Sequence, residues 1–438
     1  MGFMVYQPPT GARDLLPLDV AQKQWIEERL QQVWRRWGYH RIITSTLERL
    51  DTLMAGGAID QSTVIQLQTI DDEMLGLRPE LTASIARAAV TRMAGMTYPQ
   101  RLYYNANVFR RAARGSHSRQ QEFYQAGVEL LGAGGLRADA EVLLLLADCL
   151  HSLRLDPEEA DQGTAFEGKR QSVWHVILGE AGLTRSLLSP FPATLRNAVR
   201  KAIAHLDQIA LETLPLTRDL RQLALLLLSL RGHPADVLER VSNLDLTSAQ
   251  QDSLNNLKSL VELVGETFAI GGDSPAPAHL LLDLSLIQTF DYYTGIVFEV
   301  ISDGAAGHRV VGQGGRYDQL PGLYHPQGQS CPGIGFCLNL EDLHHVLLPT
   351  GKLPDRTPTS DWLVVPETEQ AYAAAFAHAQ QLRSTPKVVR VEVELGSHQT
   401  PEAIRQAARD RRITSITWVD ATGMTRVEPL LEPVLGNQ

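Results

Sequence analysis

Apolar positions recur at two spacings along the chain, and each change of spacing marks a change of element. Between Val20 and Trp37, the residues Trp25, Leu30, Val33 and Trp37 fall at near-helical intervals, which predicts an amphipathic helix, with Asp19 the candidate cap before it. Tyr39–Leu47 is β-branched and follows Gly38, so it reads as a strand; Val64–Thr69 alternates apolar and polar residues as a half-buried strand does. Leu75–Met93 passes from strand-like to helical spacing and places Arg78, Glu80 and Thr82 at the junction. Arg101–Leu131 reads as strand, basic loop, strand: a hairpin. Alternation in its second strand puts Phe123, Gln125, Gly127 and Glu129 on one face. An amide and a carboxylate on a core face need partners, because leaving either unsatisfied costs about 1–3 kcal/mol.

Further on, Leu136–Leu150 predicts a strongly apolar helix holding Cys149 as an inert core thiol, and Val173–Glu180 a strand. From Ser189 to about Ile270 only helical spacing is found, with breaks at Pro215, Gly232 and Pro234, which predicts an all-helical insertion. Gly271–Pro277 returns the chain to β-type patterning. Leu284–Val300 then sets Asp291, Tyr292 and Tyr293 between strand-like runs, and Val310–Leu320 follows with apolar residues, a glycine-rich turn, and Arg316, Tyr317 and Asp318. Together these two stretches read as a small-molecule pocket in a sheet. Gly333–Pro349 runs from small residues into a helix, and Thr350–Thr359 reads as a linker. The tail alternates strand Trp362–Val365, helix Gln370–Ser384, strand Val388–Val393, helix Pro401–Arg411 and strand Ile416–Val419, a small α/β domain.

Composition narrows the function classes. At 438 residues the chain is long enough for two or three domains. It has no uninterrupted apolar run of membrane-spanning length. The formal charge of −10 argues against sequence-independent nucleic-acid binding, which needs cations against phosphate. Three cysteines at irregular spacing form no metal or disulfide framework, and Met1–Thr10 lacks a secretory pattern, so the cytoplasm is the expected compartment. His344 and His345 point about 100° apart on a helix, which disfavours a shared metal; no metal or cofactor is expected. Two readings stay open from the residues alone. The Arg78–Thr82 junction is equally a helix start, with Pro79 in the first turn and Glu80 favouring the dipole, and Arg110, Arg111, Arg114 and Arg119 equally form a solvated loop. His205 and His233 are isolated.

Five motifs occur in a recognisable order: TGARDLLP, LRPELT, the VFRRAARG to EFYQAGVE hairpin, FDYYTG and GGRYDQL. In that order the chain resembles histidyl-tRNA synthetases over roughly residues 6–345. The resemblance implies an α+β class II synthetase-like fold, an antiparallel sheet flanked by helices. It divides the chain into residues 1–188 (first part of the core), 189–272 (helical insertion), 273–349 (second part of the core) and 360–438 (a reduced anticodon-binding domain). It further implies that Glu80, Thr82 and Gln125 face the amino group of a histidine, that Glu129, Tyr293 and Tyr317 with Tyr292 beside them surround its imidazole, and that Arg110 belongs to the same site. A carboxylate and a phenol suit the two ring nitrogens.

Three positions depart from the synthetase pattern. Gln288 stands where an arginine is expected, Ala112 where a carboxylate faces adenine, and Asp342 where an ATP-facing arginine begins a helix, while Asn339 replaces a glycine. Stabilising charge on transferring phosphates requires fixed cations, so synthetase chemistry is expected to be lost, with no catalytic residue remaining. Within the family the chain is similar to the regulatory subunits of ATP phosphoribosyltransferase. That similarity implies a non-catalytic, histidine-binding partner of a short catalytic subunit, homodimeric within a hetero-octamer, with a role in histidine biosynthesis and feedback. The alternatives are a divergent active synthetase and a tRNA-binding or histidine-sensing paralogue.

Overall fold

The largest sheet grows from the expected hairpin. In the computed structural model, which describes residues 8–57, 59–112, 120–153, 173–270, 279–286, 293–304, 307–396 and 400–430, Gln100–Phe109 pairs antiparallel with Glu122–Leu131, from Gln100 opposite Leu131 to Phe109 opposite Glu122. Gly333–Asn339, Gly307–Arg316, Ile296–Gly304 and Val173–Glu180 then add antiparallel strands in that spatial order. His40–Arg41 joins one side and His279–Asp283 the other, both in parallel, and Arg231–Gly232 closes the far edge. The six central strands are antiparallel, as expected, and the parallel pairings toward the edges make the whole sheet mixed.

Two strand expectations need correction. The Tyr39–Leu47 run is not one strand: His40–Arg41 pairs in the large sheet, whereas Leu47–Arg49 belongs to a separate three-stranded sheet with Met74–Leu77 and Gln66–Gln68. The chain crosses between the sheets, which leaves Ile43 exposed. The glycine-rich segment of GQGGRYDQL is not a turn either; it is the interior of Gly307–Arg316, paired on both sides. Its glycines serve close approach, since a Cβ on Gly314 would sit 2.4 Å from the Gly335 carbonyl oxygen and 2.6 Å from the Phe298 ring. Held between two strands, these residues are not the movable loop that a turn would provide.

Helices cover the sheet where their apolar faces demand it. Pro17–Arg36 starts with the Leu16 N–H donating to Asp19 Oδ2 at 2.9 Å, and buries Ile26, Leu30, Val33 and Trp34. Leu136–Ser152 buries Leu145, Leu146, Cys149 and Leu150 in the same cluster. Helices between Ala181 and Ile270 add Val199, Ile203, Leu227, Val237, Leu254 and Leu257 to it, beside Leu178, Phe298 and Val300 of the sheet. The helical stretch thus shares the main core, and Arg231–Gly232 is a strand within it. No helix among the described residues is long and apolar enough to cross a membrane.

The chain divides into two compact units, Met1–Pro354 and Asp355–Gln438. In the second, Trp362–Pro366 lies between Val391–Val393 and Ser415–Val419, all parallel, and helices Tyr372–Arg383 and Pro401–Asp410 supply the crossovers. Leu363 and Val365 pack with Ile404, Ile416 and Trp418, while Val364 packs on the other face with Ala375, Ala379 and Val419. A fourth strand, Thr425–Pro429, adds antiparallel to Ser415–Val419. It was not expected, because its largely exposed residues carry no apolar alternation.

Candidate functional site

Strand register builds one cavity of about 490 Å³ on the large sheet. Its wall includes Glu80, Thr82, Arg110, Gln125, Glu129, Tyr293 and Tyr317, seven of the eight expected ligand residues. Tyr292 lies outside the described residues, as does Gln288.

The junction before helix Thr82–Val90 is held from both sides. Arg78 is buried, and its Nε donates to the Asn107 carbonyl at 2.9 Å while its Nη1 donates to the Thr44 carbonyl at 3.0 Å. Arg110 Nε donates to the Pro79 carbonyl at 2.9 Å. Glu80 accepts from the Thr82 and Ala83 backbone N–H groups at 2.7 and 2.9 Å. Helix start and pocket wall are therefore the same structure: Glu80 satisfies N-terminal donors and faces the cavity.

Glu129 stands at the bottom of the pocket, 1% exposed. Its Oε1 accepts from Thr82 Oγ1 at 2.8 Å, and its Oε2 accepts from the Tyr317 hydroxyl. Burial pushes its carboxyl up to about 8, against the two hydroxyl donors and with the Glu80 charge acting in the same upward direction. Burial also raises Glu80, opposed by its backbone donors and by Arg110. The Tyr104 and Tyr293 phenols are held well above their usual range by burial, and the Cys337 thiol is pushed up to about 12 for the same reason. Burial thus keeps all three side chains neutral and makes the thiol a poor nucleophile. Gln125 is buried and lines the cavity. Gly335 makes room for this arrangement, since a Cβ there would lie 2.0 Å from Glu129 Oε2.

Several wall residues had not been singled out, among them Tyr104, Gln313, Phe336 and Cys337. Pairing carries most of the missing signal: Tyr104 is opposite Gly127 and Cys337 opposite both Gly127 and Gln313, which puts them in one row across the sheet. Arg316 has a different role. Its Nε and Nη2 donate to Asp139 Oδ1 at 2.9 and 2.5 Å, and its Nη1 donates to Asp318 Oδ1 at 2.9 Å.

Of the departing positions, Ala112, Asn339 and Asp342 are described, and none of them lines the cavity. Ala112 follows the hairpin's first strand and does not line the cavity. Asn339 caps helix Leu340–Leu347, its Oδ1 accepting from the Glu341 N–H at 3.2 Å. Asp342 is ion-paired with Arg309 at 3.0 Å. His344 Nε2 lies 2.7 Å from Gln22 Oε1, and His205 Nδ1 lies 2.7 Å from the Lys201 carbonyl oxygen. Among the described residues no group of three or more His, Cys, Asp or Glu side chains is placed to hold a metal ion.

The chain is similar to known proteins in sequence and in fold. A family model described as histidyl-tRNA synthetase matches residues 11–343. A relative from Trichormus variabilis, named ATP phosphoribosyltransferase regulatory subunit, is 62% identical over 97% of this chain and 99% of its own length. One of the same name from Nostoc sp. is 62% identical over 98% of this chain and all of its own. A crystal structure titled as an ATP phosphoribosyltransferase regulatory subunit/histidyl-tRNA synthetase from Bacillus halodurans superposes with a TM-score of 0.76 at 24% identity, over 96% of this chain and 99% of that one. The fold is class II histidyl-tRNA synthetase-like, with a large mixed sheet flanked by helices and a small C-terminal sheet domain.

Proposed function

The chain belongs to the family of ATP phosphoribosyltransferase regulatory subunits, and from that premise we propose that it serves histidine biosynthesis as the non-catalytic partner of a catalytic subunit and senses histidine in the cavity around Glu129. The observation that carries the sensing role is the convergence of Glu80, Thr82, Arg110, Gln125, Glu129, Tyr293 and Tyr317 on one cavity, while Ala112 and Asp342 supply none of the cationic charge that nucleotide activation needs. Glu80 and Gln125 receive the ammonium group, Arg110 the carboxylate, and Glu129 with the tyrosines the ring. Histidine binding then favours one conformation of the assembly, and the partner's activity follows that population.

The catalytic partner is of the short type, the assembly is a hetero-octamer containing homodimers of this chain, and it works in the cytoplasm. Residues 1–188 and 273–349 act as the synthetase-like core, with the helical stretch and the tail as added parts. Calorimetry on the purified chain tests the ligand reading. Histidine binds and ATP does not; tight ATP binding, or absence of histidine binding both alone and with the catalytic subunit, overturns it. Robust histidine-dependent exchange of pyrophosphate into ATP would instead identify an active synthetase.

A further inference from the structure

We propose, on the reading that the cavity takes histidine, that Arg316 is a positioning residue for that site: it stands outside the cavity wall, ties the Tyr293 and Tyr317 segments into one unit, and so sets the affinity for the ligand. Tyr293 and Tyr317 line the cavity, whereas their chain neighbours Thr294, Arg316 and Asp318 do not.

Arg316 meets both segments through its backbone. Its carbonyl oxygen accepts from the Thr294 N–H at 2.7 Å and from the Thr294 hydroxyl at 3.3 Å, and the same hydroxyl oxygen accepts from the Asp318 N–H at 3.0 Å. Thr294 directly follows Tyr293, and Asp318 directly follows Tyr317. The Tyr317 N–H donates to the Gly333 carbonyl at 2.7 Å, and the Gly333 N–H donates in return to Asp318 Oδ1 at 3.1 Å. Packing is as close as bonding: a Cβ on Gly295 would lie 3.0 Å from Arg316 Cδ, and one on Gly315 would lie 2.8 Å from the Tyr293 ring.

The guanidinium group fastens this knot to the core. Its Nε and Nη2 donate to Asp139, in the first turn of helix Leu136–Ser152, and its Nη1 donates to Asp318. Arg316 and Asp139 are both buried, so one cation answers two acids that belong to different parts of the chain. A planar fork with donors in fixed directions meets both carboxylates; the single ammonium of a lysine does not. A buried ionic cluster gains little stability over apolar packing. What this one contributes is a single geometry, the placing of two tyrosines in one wall. A site whose supporting residues leave it about 1 Å loose loses its ligand.

Titration calorimetry with histidine on the full chain provides the test. Arg316→Lys is expected to weaken binding by roughly 10-fold or more. Thr294→Val, which loses the hydroxyl, is expected to weaken binding too, and Thr294→Ser, which keeps it, to bind as the parent does. Combined with Tyr317→Phe, Arg316→Lys is expected to lose less than the product of the two single losses, since both act through one phenol; a general loosening of the fold would multiply them. A full product, parent-like affinity in Arg316→Lys or Thr294→Val, or equal losses in Thr294→Ser and Thr294→Val, overturns the proposal. If Arg316→Lys does not fold, the two Thr294 variants decide alone. A parent chain that binds no histidine, alone or with the catalytic subunit, overturns the histidine reading and this inference with it; parent binding that the variants leave unchanged overturns the inference alone.

Discussion

Arg309 Nη1 donates to Asp342 Oδ1 at 3.0 Å, tying strand Gly307–Arg316 to the first turn of helix Leu340–Leu347. The position at which histidyl-tRNA synthetases are expected to present an ATP-facing arginine is occupied here by an acid already engaged with a cation.

Asp342→Arg would therefore set two guanidinium groups against each other. Because the pair is partly exposed, its loss is expected to lower stability by no more than about 1 kcal/mol. The variant is expected to show no histidine-dependent pyrophosphate exchange, since Ala112 and Gln288 remain; Gln288→Arg alone is expected to be equally inactive. An exchange assay with a thermal melt checks both halves.

Thr82→Val removes the hydroxyl that donates to Glu129 Oε1 while keeping the backbone N–H that donates to Glu80. Loss of one hydrogen bond to a buried acid, about 0.5–1.5 kcal/mol, corresponds to roughly 2- to 13-fold weaker histidine binding. Titration calorimetry reads the change. Unaltered affinity would detach Thr82 from the ligand site.

The unliganded protein should lose stability as pH rises through the Glu129 window. Below about 4.5 both folded and unfolded chains hold this proton; between 4.5 and about 8 only the folded chain does, and the advantage is gone once pH passes the folded value. Glu129→Gln is expected to flatten that part of the curve and to melt higher than the parent at about pH 8.5. Thermal unfolding of both proteins across this range isolates the term.

Gly335→Ala is expected to damage the pocket from beneath. Its Cβ would meet Glu129 Oε2 at 2.0 Å and the Val128 carbonyl oxygen at 2.3 Å, and the latter belongs to a central strand with little freedom to move. A loss of about 1–3 kcal/mol in unfolding free energy is expected, together with loss of histidine binding. Denaturant titration and calorimetry measure the two effects.

Chemistry was easier to read from the residues than backbone path. Glu80, Gln125, Glu129, Tyr293 and Tyr317 stand out because polar groups on apolar elements need partners, and the ordered motifs supplied a shared site for them. The glycines of GQGG misled because glycine clusters signal turns and tight strand packing alike, and only the pairing partners distinguish the two. Tyr39–Leu47 misled because β-branched spacing does not say where a chain leaves its sheet. Thr425–Pro429 escaped notice because an exposed edge strand has no apolar period. Arg316 could not be separated from the ligand residues beside it, since its acceptor Asp139 lies 177 positions earlier.

The most direct test of a histidine-sensing regulatory subunit is reconstitution of ATP phosphoribosyltransferase from a short catalytic subunit with and without this chain, at rising histidine concentration. Activity is expected to require the chain, to fall with histidine when the parent protein is used, and to resist histidine with Thr82→Val at concentrations that inhibit the parent. Full activity of the catalytic subunit alone, or histidine inhibition unchanged by the pocket variant, would contradict it.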